Sequence, residues 1–247
     1  MGDGSYAAIS WAYERIFPAR EPQLSFFREL FRDRRVRTVL DLACGTGEYA
    51  LAFAGWGLRV VGVDLEEAMI RRARERAREL RLPVDFRLGD MREPPGGPYD
   101  AVICIGNSLA HLLRAEDVRR ALGGMARALQ RNGILVLQTV NYDRVLRDRI
   151  TSLPTITADD GRLEFHRHYE YLSSGHILFK TDLRVRDAGG GWRSFPGETK
   201  LRPVLKEELE RELRGAGFED IQFFGGFDSS PFNEDSPATV AVAAMRS

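Results

Sequence analysis

Thr38-Val-Leu-Asp-Leu-Ala-Cys-Gly-Thr-Gly-Glu48 decides the fold of this chain. An apolar strand runs straight into a glycine-punctuated turn, and a helical pattern follows at once. Beyond that helix, Arg59-Val-Val-Gly-Val-Asp64 is a second buried strand, and it too ends on an acid. Strand, tight turn, helix, strand and acid make a β-α-β nucleotide-binding unit. Gly45 and Gly47 carry no Cβ, so the backbone there can adopt unusual φ/ψ and approach a ligand closely. Asp64, at the carboxyl end of the second strand, is placed to accept both hydroxyls of a ribose. The unit is expected to hold an adenosine-type ligand.

Gly45-Thr-Gly-Glu-Tyr-Ala50 also fits the dinucleotide fingerprint, but the local charge argues against a pyrophosphate. Phosphates need bare N–H groups and the positive end of a helix dipole. Here Asp41 ends the strand and Glu48 opens the helix, so carboxylates flank the place where phosphates would sit. A cationic ligand suits them better, and S-adenosylmethionine (SAM) offers adenine, ribose, a sulfonium and an amino group without phosphate. Glu48 reads equally well as an ordinary first-turn acid on the helix dipole. Asp41 is harder to dismiss, because an acid ending a buried strand needs a partner.

Together these residues resemble the class I SAM-dependent methyltransferases. Val39-Leu-Asp-Leu-Ala-Cys-Gly-Thr-Gly-Glu48 is similar to their first motif and Val61-Gly-Val-Asp64 to their second. Leu88-Gly-Asp90-Met91 is similar to the third, whose acid receives the adenine amino group, and Asp100-Ala-Val-Ile-Cys-Ile-Gly106 to the fourth strand. The order covers residues 36–141 without a break. Ile103-Cys-Ile-Gly-Asn-Ser-Leu-Ala-His111 and Asn141-Tyr-Asp143 resemble the glycine N-methyltransferase branch. The resemblance implies a cofactor site of Tyr13, Arg20, Asp41, Ala43, Gly45, Gly47, Asp64, Leu65, Met69, Asp90, Met91 and Ile105. It implies an acceptor site of Asn107, Ser108, Asn141, Tyr142, Tyr169 and Arg202, with Asn107 and His111 nearest the chemistry.

Composition narrows the class of partner. The chain has 247 residues and equal numbers of acidic and basic side chains, 36 of each. Zero formal net charge removes the electrostatic case for a nucleic-acid or membrane surface. A chain of this length can bury roughly three-quarters of its unfolded surface, so it needs no covalent staple. Cys44 and Cys104 end buried strands and read as small core residues in a reducing compartment. No apolar run is long enough for a membrane span, and Met1-Gly-Asp-Gly-Ser5 lacks a leader pattern, so a soluble cytoplasmic protein is expected.

Four segments are expected: an N-terminal arm and helix at 1–35, a SAM-binding Rossmann-like core at 36–150, an inserted β meander at 151–203, and a helix with two strands at 204–247 that completes the core sheet. Alternating strands and helices from 36 to 141 predict a mostly parallel seven-stranded α/β sheet whose last strand is antiparallel. After residue 150 the period changes to two. Arg162–Tyr171 and Ile177–Arg186 alternate strictly, and an extended segment runs to about Leu201, which predicts a cap of three antiparallel strands. The arginine-rich helix Arg71–Arg81 reads as a solvated face with mutual pairing at Arg71–Glu75 and Glu75–Arg78.

Methyl transfer from a sulfonium is an in-line displacement, so the protein mainly supplies proximity, alignment and exclusion of water. Asn107 and Ser108 follow strand four, where an open α/β sheet receives its acceptor; Asn107 could instead cap the next helix. His111 reads as a cofactor contact or a structural histidine, and Tyr13 and Arg20 as cofactor contacts or packing residues. Glu164, His166, His168 and Glu170 share one strand face, which suits a metal or, more simply, a solvated surface; no metal is expected. Branch members that act on glycine carry an arginine before Asn-Tyr-Asp for the glycine carboxylate. Here that position is Val140, which makes glycine doubtful. Arg167, Arg184 and Arg202 are the candidates to supply charge from the insert.

The chain is thus expected to methylate N or O of a small molecule. Nucleic-acid enzymes that methylate amino groups carry Pro-Pro and an aromatic after the Asn or acid, where this chain has Asn107-Ser-Leu-Ala. A protein substrate, an NAD(P)-dependent oxidoreductase and a non-catalytic SAM binder are the alternatives.

Overall fold

The structure is a computed structural model that describes residues 6–245. The first five residues, which begin the arm and were read for a leader pattern, lie outside the described residues, as do the last two of the 204–247 segment. The arm forms a short turn at Ala7–Ile9 and α1 (Tyr13–Ile16) before α2 (Glu21–Asp33). The core then alternates through β1 (Thr38–Leu42), α3 (Glu48–Gly55), β2 (Arg59–Asp64), α4 (Glu67–Leu80), β3 (Val84–Leu88), β4 (Tyr99–Cys104), α5 (Ala115–Ala128) and β5 (Leu129–Val140). A short α6 (Tyr142–Arg147) leads into β6 (Ser152–Ala158), β7 (Leu163–Tyr171), β8 (Ile177–Arg186) and β9 (Trp192–Leu201). The chain closes with α7 (Lys206–Gly215), β10 (Phe218–Phe224) and β11 (Ala238–Met245).

One sheet has the order β10-β11-β5-β4-β1-β2-β3. β11 runs antiparallel to both β5 and β10, while β1, β2, β3, β4 and β5 pair in parallel. Alternation along the strands sorts the side chains to two faces. Val39 of β1 and Ile103 of β4 pack with Phe27, Phe53 and Ile70 under α2, α3 and α4. Leu40, Leu42 and Val102 pack on the other face with Leu122, Met125 and Leu209 of α5 and α7. The chain leaves β1 for β2 on one side and pairs β1 with β4 on the other, so the sheet's crevice opens at the carboxyl ends of β1 and β4.

The insert is a second sheet of order β6-β7-β8-β9, with four strands instead of the expected three. β6 was missed because Pro154 interrupts Ser152-Leu-Pro-Thr-Ile-Thr-Ala158. Proline is tolerated at an edge, where no neighbour needs its N–H. The register of β6 against β7 slips between Leu153 and Ile156, around that proline. Among the described residues no helix is long and apolar enough to cross a membrane.

Candidate active site

The loop Ala43–Gly47 carries three left-handed residues, Ala43, Gly45 and Gly47. Such a backbone is strained for a residue with a side chain, and Ala43 bears that strain at the mouth of the crevice. The two glycines do different work. A Cβ on Gly47 would lie 2.6 Å from the Phe86 ring, so Gly47 permits close packing of α3 on the sheet. A Cβ on Gly45 would lie 3.2 Å from the ring of Tyr13, so the arm closes down on this loop.

Asp41, next to last in β1, and Asp64, last in β2, lie on adjacent parallel strands close enough for the charge of Asp64 to act on Asp41. Asp41 is 2 % exposed, and its Oδ2 has no hydrogen-bond partner among the described residues. Burial, then the charge of Asp64, pushes its carboxyl well above the usual range, although the backbone N–H of Ala50 opposes this. Asp64 accepts from the Gly45 N–H at 2.8 Å and the Glu66 N–H at 2.9 Å, and burial still raises its pKa. Two enclosed carboxylates with an orphaned oxygen form a site that lacks a positive charge, which a sulfonium and an α-ammonium group would supply. Leu65, beside Asp64, is 48 % exposed and offers an apolar surface for a flat ring, while Met69 and Ile105 are buried and Met91 half-buried.

Glu48 does not face that crevice. It forms an ion pair with Arg76 of α4 and accepts from the Ala19 N–H at 3.3 Å, which makes it a tie to the arm. The solvated-face reading of α4 also needs correction. Arg72 grips Glu14 of the arm at 2.6 and 3.0 Å, Arg74 donates to the Phe86 carbonyl, and Arg76 donates to the Thr46 carbonyl. Arg72 and Arg76 are half-buried on one flank of the helix, whereas Arg71, Arg74 and Arg78 are exposed as the solvated-face reading expects. The signal was there in the i, i+4 spacing of Arg72 and Arg76, which puts both on one face.

Other expected contacts are spent elsewhere. Asp90 takes Arg92 on both carboxylate oxygens as well as the Arg92 N–H, in a two-residue turn, and its side chain remains 25% exposed. Asn141 caps α6 through the Arg144 N–H and donates to the carbonyls of Ser236 and Glu234, so it holds the fold instead of facing an acceptor. Arg20 is exposed at the start of α2, where its N–H donates to Gln23. Arg202 pairs with Glu208 through one arm of its guanidinium.

At the end of β4, Asn107 has a left-handed backbone, and its side chain makes no helix-capping bond. Its Nδ2 donates to the Tyr142 hydroxyl at 2.9 Å and its Oδ1 accepts from the Val140 N–H at 3.0 Å. Tyr142 and Tyr169 are buried together with Ala110. Burial holds both phenols above their ordinary pKa, Tyr169 at about 12. Ser108 donates to the Ile105 carbonyl, and His111 Nε2 lies 3.4 Å from the Tyr6 hydroxyl. The Arg202 N–H donates to the Ala110 carbonyl, so the cap sits on the Asn107 side of the sheet. On the cap's outer face His166 contacts Glu164 and Lys180 pairs with Glu170. Among the described residues no group of three His, Cys, Asp or Glu could hold a metal.

Residues 39–133 match the family described as a methyltransferase domain. A glycine/sarcosine N-methyltransferase of Parasynechococcus marenigrum is 39% identical over 235 residues, covering 92% of this chain and 78% of its own. A glycine/sarcosine/dimethylglycine N-methyltransferase of Actinopolyspora halophila is 28% identical over 228 residues; the match covers 88% of this chain and 37% of the relative's length. Among solved structures, a SAM-dependent methyltransferase from Clostridium acetobutylicum superposes with a TM-score of 0.83 at 16% identity, over 99% of both chains. SAM-bound CalS10, an amino pentose methyltransferase from Micromonospora echinaspora, gives 0.73 at 23% identity over 95% of this chain and 94% of its own. The chain belongs to the class I SAM-dependent methyltransferases, near the glycine N-methyltransferase branch. It is a SAM-dependent enzyme, and the dinucleotide alternative falls away.

Proposed function

We propose that the protein transfers a methyl group to the amine nitrogen of a small molecule other than glycine. The observation that carries the donor half is the pair of enclosed carboxylates, Asp41 and Asp64, at the mouth of the crevice. When bound, SAM supplies an electrophilic methyl on a sulfonium. Asp64 holds the ribose, Asp41 and the Ala43–Gly47 loop face the methionine end, and Leu65 with Met91 lines the adenine. Tyr13 and the arm close the site and exclude water, which strengthens every charge interaction inside it.

The acceptor half rests on the groups around Asn107. Tyr142 and Tyr169 stay protonated at neutral pH, so they position an acceptor instead of deprotonating it. That suits an amine, which brings its own lone pair, better than a hydroxyl. Tyr6, Ser108 and His111 complete the wall by this reading. The glycine/sarcosine N-methyltransferase name of the Parasynechococcus marenigrum relative points the same way. The test is transfer of labelled methyl from SAM to a panel of amines and matched alcohols, beside Asp64→Ala. Amines should be labelled and alcohols not. Losing a charge-assisted hydrogen bond costs roughly 1.5–3 kcal/mol, so Asp64→Ala should weaken SAM about tenfold to a hundredfold. Preferential labelling of alcohols, or unchanged calorimetric affinity in the variant, would refute the corresponding half.

A further inference from the structure

Strand alternation turns Leu163, Phe165, Arg167, Tyr169 and Tyr171 of β7 to the inner face of the cap. Leu163 and Phe165 are buried against Ile9, Ala12 and Ile16 of the arm. Tyr169 is buried against Ala110, Tyr142 and Val145. Arg167 therefore stands between two apolar clusters, on the face that looks toward the crevice. Directly across the sheet from it are Thr181 and then Gly197. The flanking rows are bulky, Phe165-Leu183-Phe195 on one side and Tyr169-Phe179 on the other. Thr181 and Gly197 are thus smaller than Phe165, Leu183, Phe195, Tyr169 and Phe179 in the rows beside them, and Leu153 of β6 pairs with Arg167 on its other side.

Among the described residues the Arg167 guanidinium has no carboxylate partner. Its Nη2 donates to the Pro154 carbonyl at 2.6 Å, and its Nε is buried without a hydrogen-bond partner. The other two arginines of the insert considered as charge donors are neutralised: Arg184 by Asp182 on the outer face, and Arg202 by Glu208. Burial disfavours the charge of Arg167, yet an arginine does not deprotonate in a protein. A half-buried cation with an unmade hydrogen bond is a site short of an anion. Val140 meanwhile leaves the end of β5 uncharged.

We propose that Arg167 receives a carboxylate of the methyl acceptor, which makes the substrate an amine whose carboxylate is remote from its nitrogen. The proposal rests on the N-methyl-transfer reading above. The spacing sets the distance. Arg167 lies one side-chain step, about 7 Å, along the strand from Tyr169, whose cluster contains the acceptor end of the site. An α-amino acid, with one carbon between nitrogen and carboxylate, is too short to use both.

The experiment titrates the complex with S-adenosylhomocysteine with β-alanine, 4-aminobutyrate, 6-aminohexanoate and 4-aminomethylbenzoate, and with the amide of each, by calorimetry. Methyl transfer to the same compounds is measured from SAM. At least one acid should bind about tenfold or more tightly than its amide. Arg167→Leu should abolish that preference while affinity for S-adenosylhomocysteine is unchanged, and Arg167→Lys should restore part of it. Equal binding of acids and amides, no binding of any acid, or a preference that survives Arg167→Leu would each overturn the proposal. Should the leucine variant misfold, Arg167→Gln and the acid-to-amide ratio of the unaltered protein decide instead. Acids that bind through Arg167 but receive no methyl sustain the subsite and remove the transfer reading for them. Amides methylated as well as their acids do the reverse.

Discussion

Asp41 shows how a single buried acid trades stability for ligand charge. Its folded pKa is raised by burial and by Asp64. Below the ordinary carboxylate range it is protonated in folded and unfolded chains alike, and its burial then costs little. As pH rises past that range the unfolded chain ionises freely while the folded one resists, so stability is lost up to the raised pKa. Asp41→Asn should therefore raise the melting temperature of the ligand-free protein at about pH 7 and leave it unchanged near pH 3, by calorimetry or circular dichroism. The same variant should bind SAM about tenfold more weakly, because an amide cannot neutralise a cation. For the unaltered protein, SAM affinity should climb as pH rises from acid to neutral. A lower melting temperature at pH 7, or intact affinity, would count against this account.

At the scale of elements, α4 is the part whose face the pattern concealed. Its arginines looked solvated, yet Arg72, Arg74 and Arg76 tie the helix to the arm, β3 and the glycine loop. Arg72→Met should free the arm, because Glu14 would keep a half-enclosed carboxylate without a partner. Removing one member of a buried pair costs roughly 3–5 kcal/mol; Arg72 is partly exposed, so a smaller loss of about 1–3 kcal/mol is expected. The readouts are weaker SAM binding and faster proteolysis near residues 6–20. Unchanged values of both would show that the arm is held by its apolar contacts alone. β6 and α6 were also illegible, each for a local reason. β6 carries Pro154, and α6 spans only Tyr142–Arg147, too short for helical periodicity to register.

At the scale of the whole molecule, the relation to glycine enzymes and the chain's own site pull in different directions. The end of β5 offers Val140, packed on the cluster of Tyr142, Tyr169 and Leu201, where branch members that act on glycine carry an arginine. A carboxylate buried there without a partner is costly, and losing one member of such a pair takes about 2–5 kcal/mol. Glycine should be methylated with a kcat/KM well below about 10⁴ M⁻¹s⁻¹, an ordinary value for an enzyme on its own substrate. Val140→Arg should gain glycine turnover and lose stability, since a guanidinium would enter an apolar cluster. Efficient glycine turnover by the unaltered protein in a labelled-methyl assay would disprove this. Local periodicity and the glycine loop were enough to determine the parallel core and to place Asp41 and Asp64 near strand ends, because strand burial and tight turns are encoded in consecutive residues, while the SAM class came from those acids and the resemblance of the four motifs. Only the tertiary structure decided which polar groups remain to meet a ligand. Asn141 looked available and is spent on Ser236 and Glu234, whereas Arg167, one of three insert arginines read as possible charge donors, is half-buried with no carboxylate beside it among the described residues. For Asn141 that is settled by partners more than 90 residues away, and for Arg167 by the strands packed around it, which no residue's own neighbours reveal.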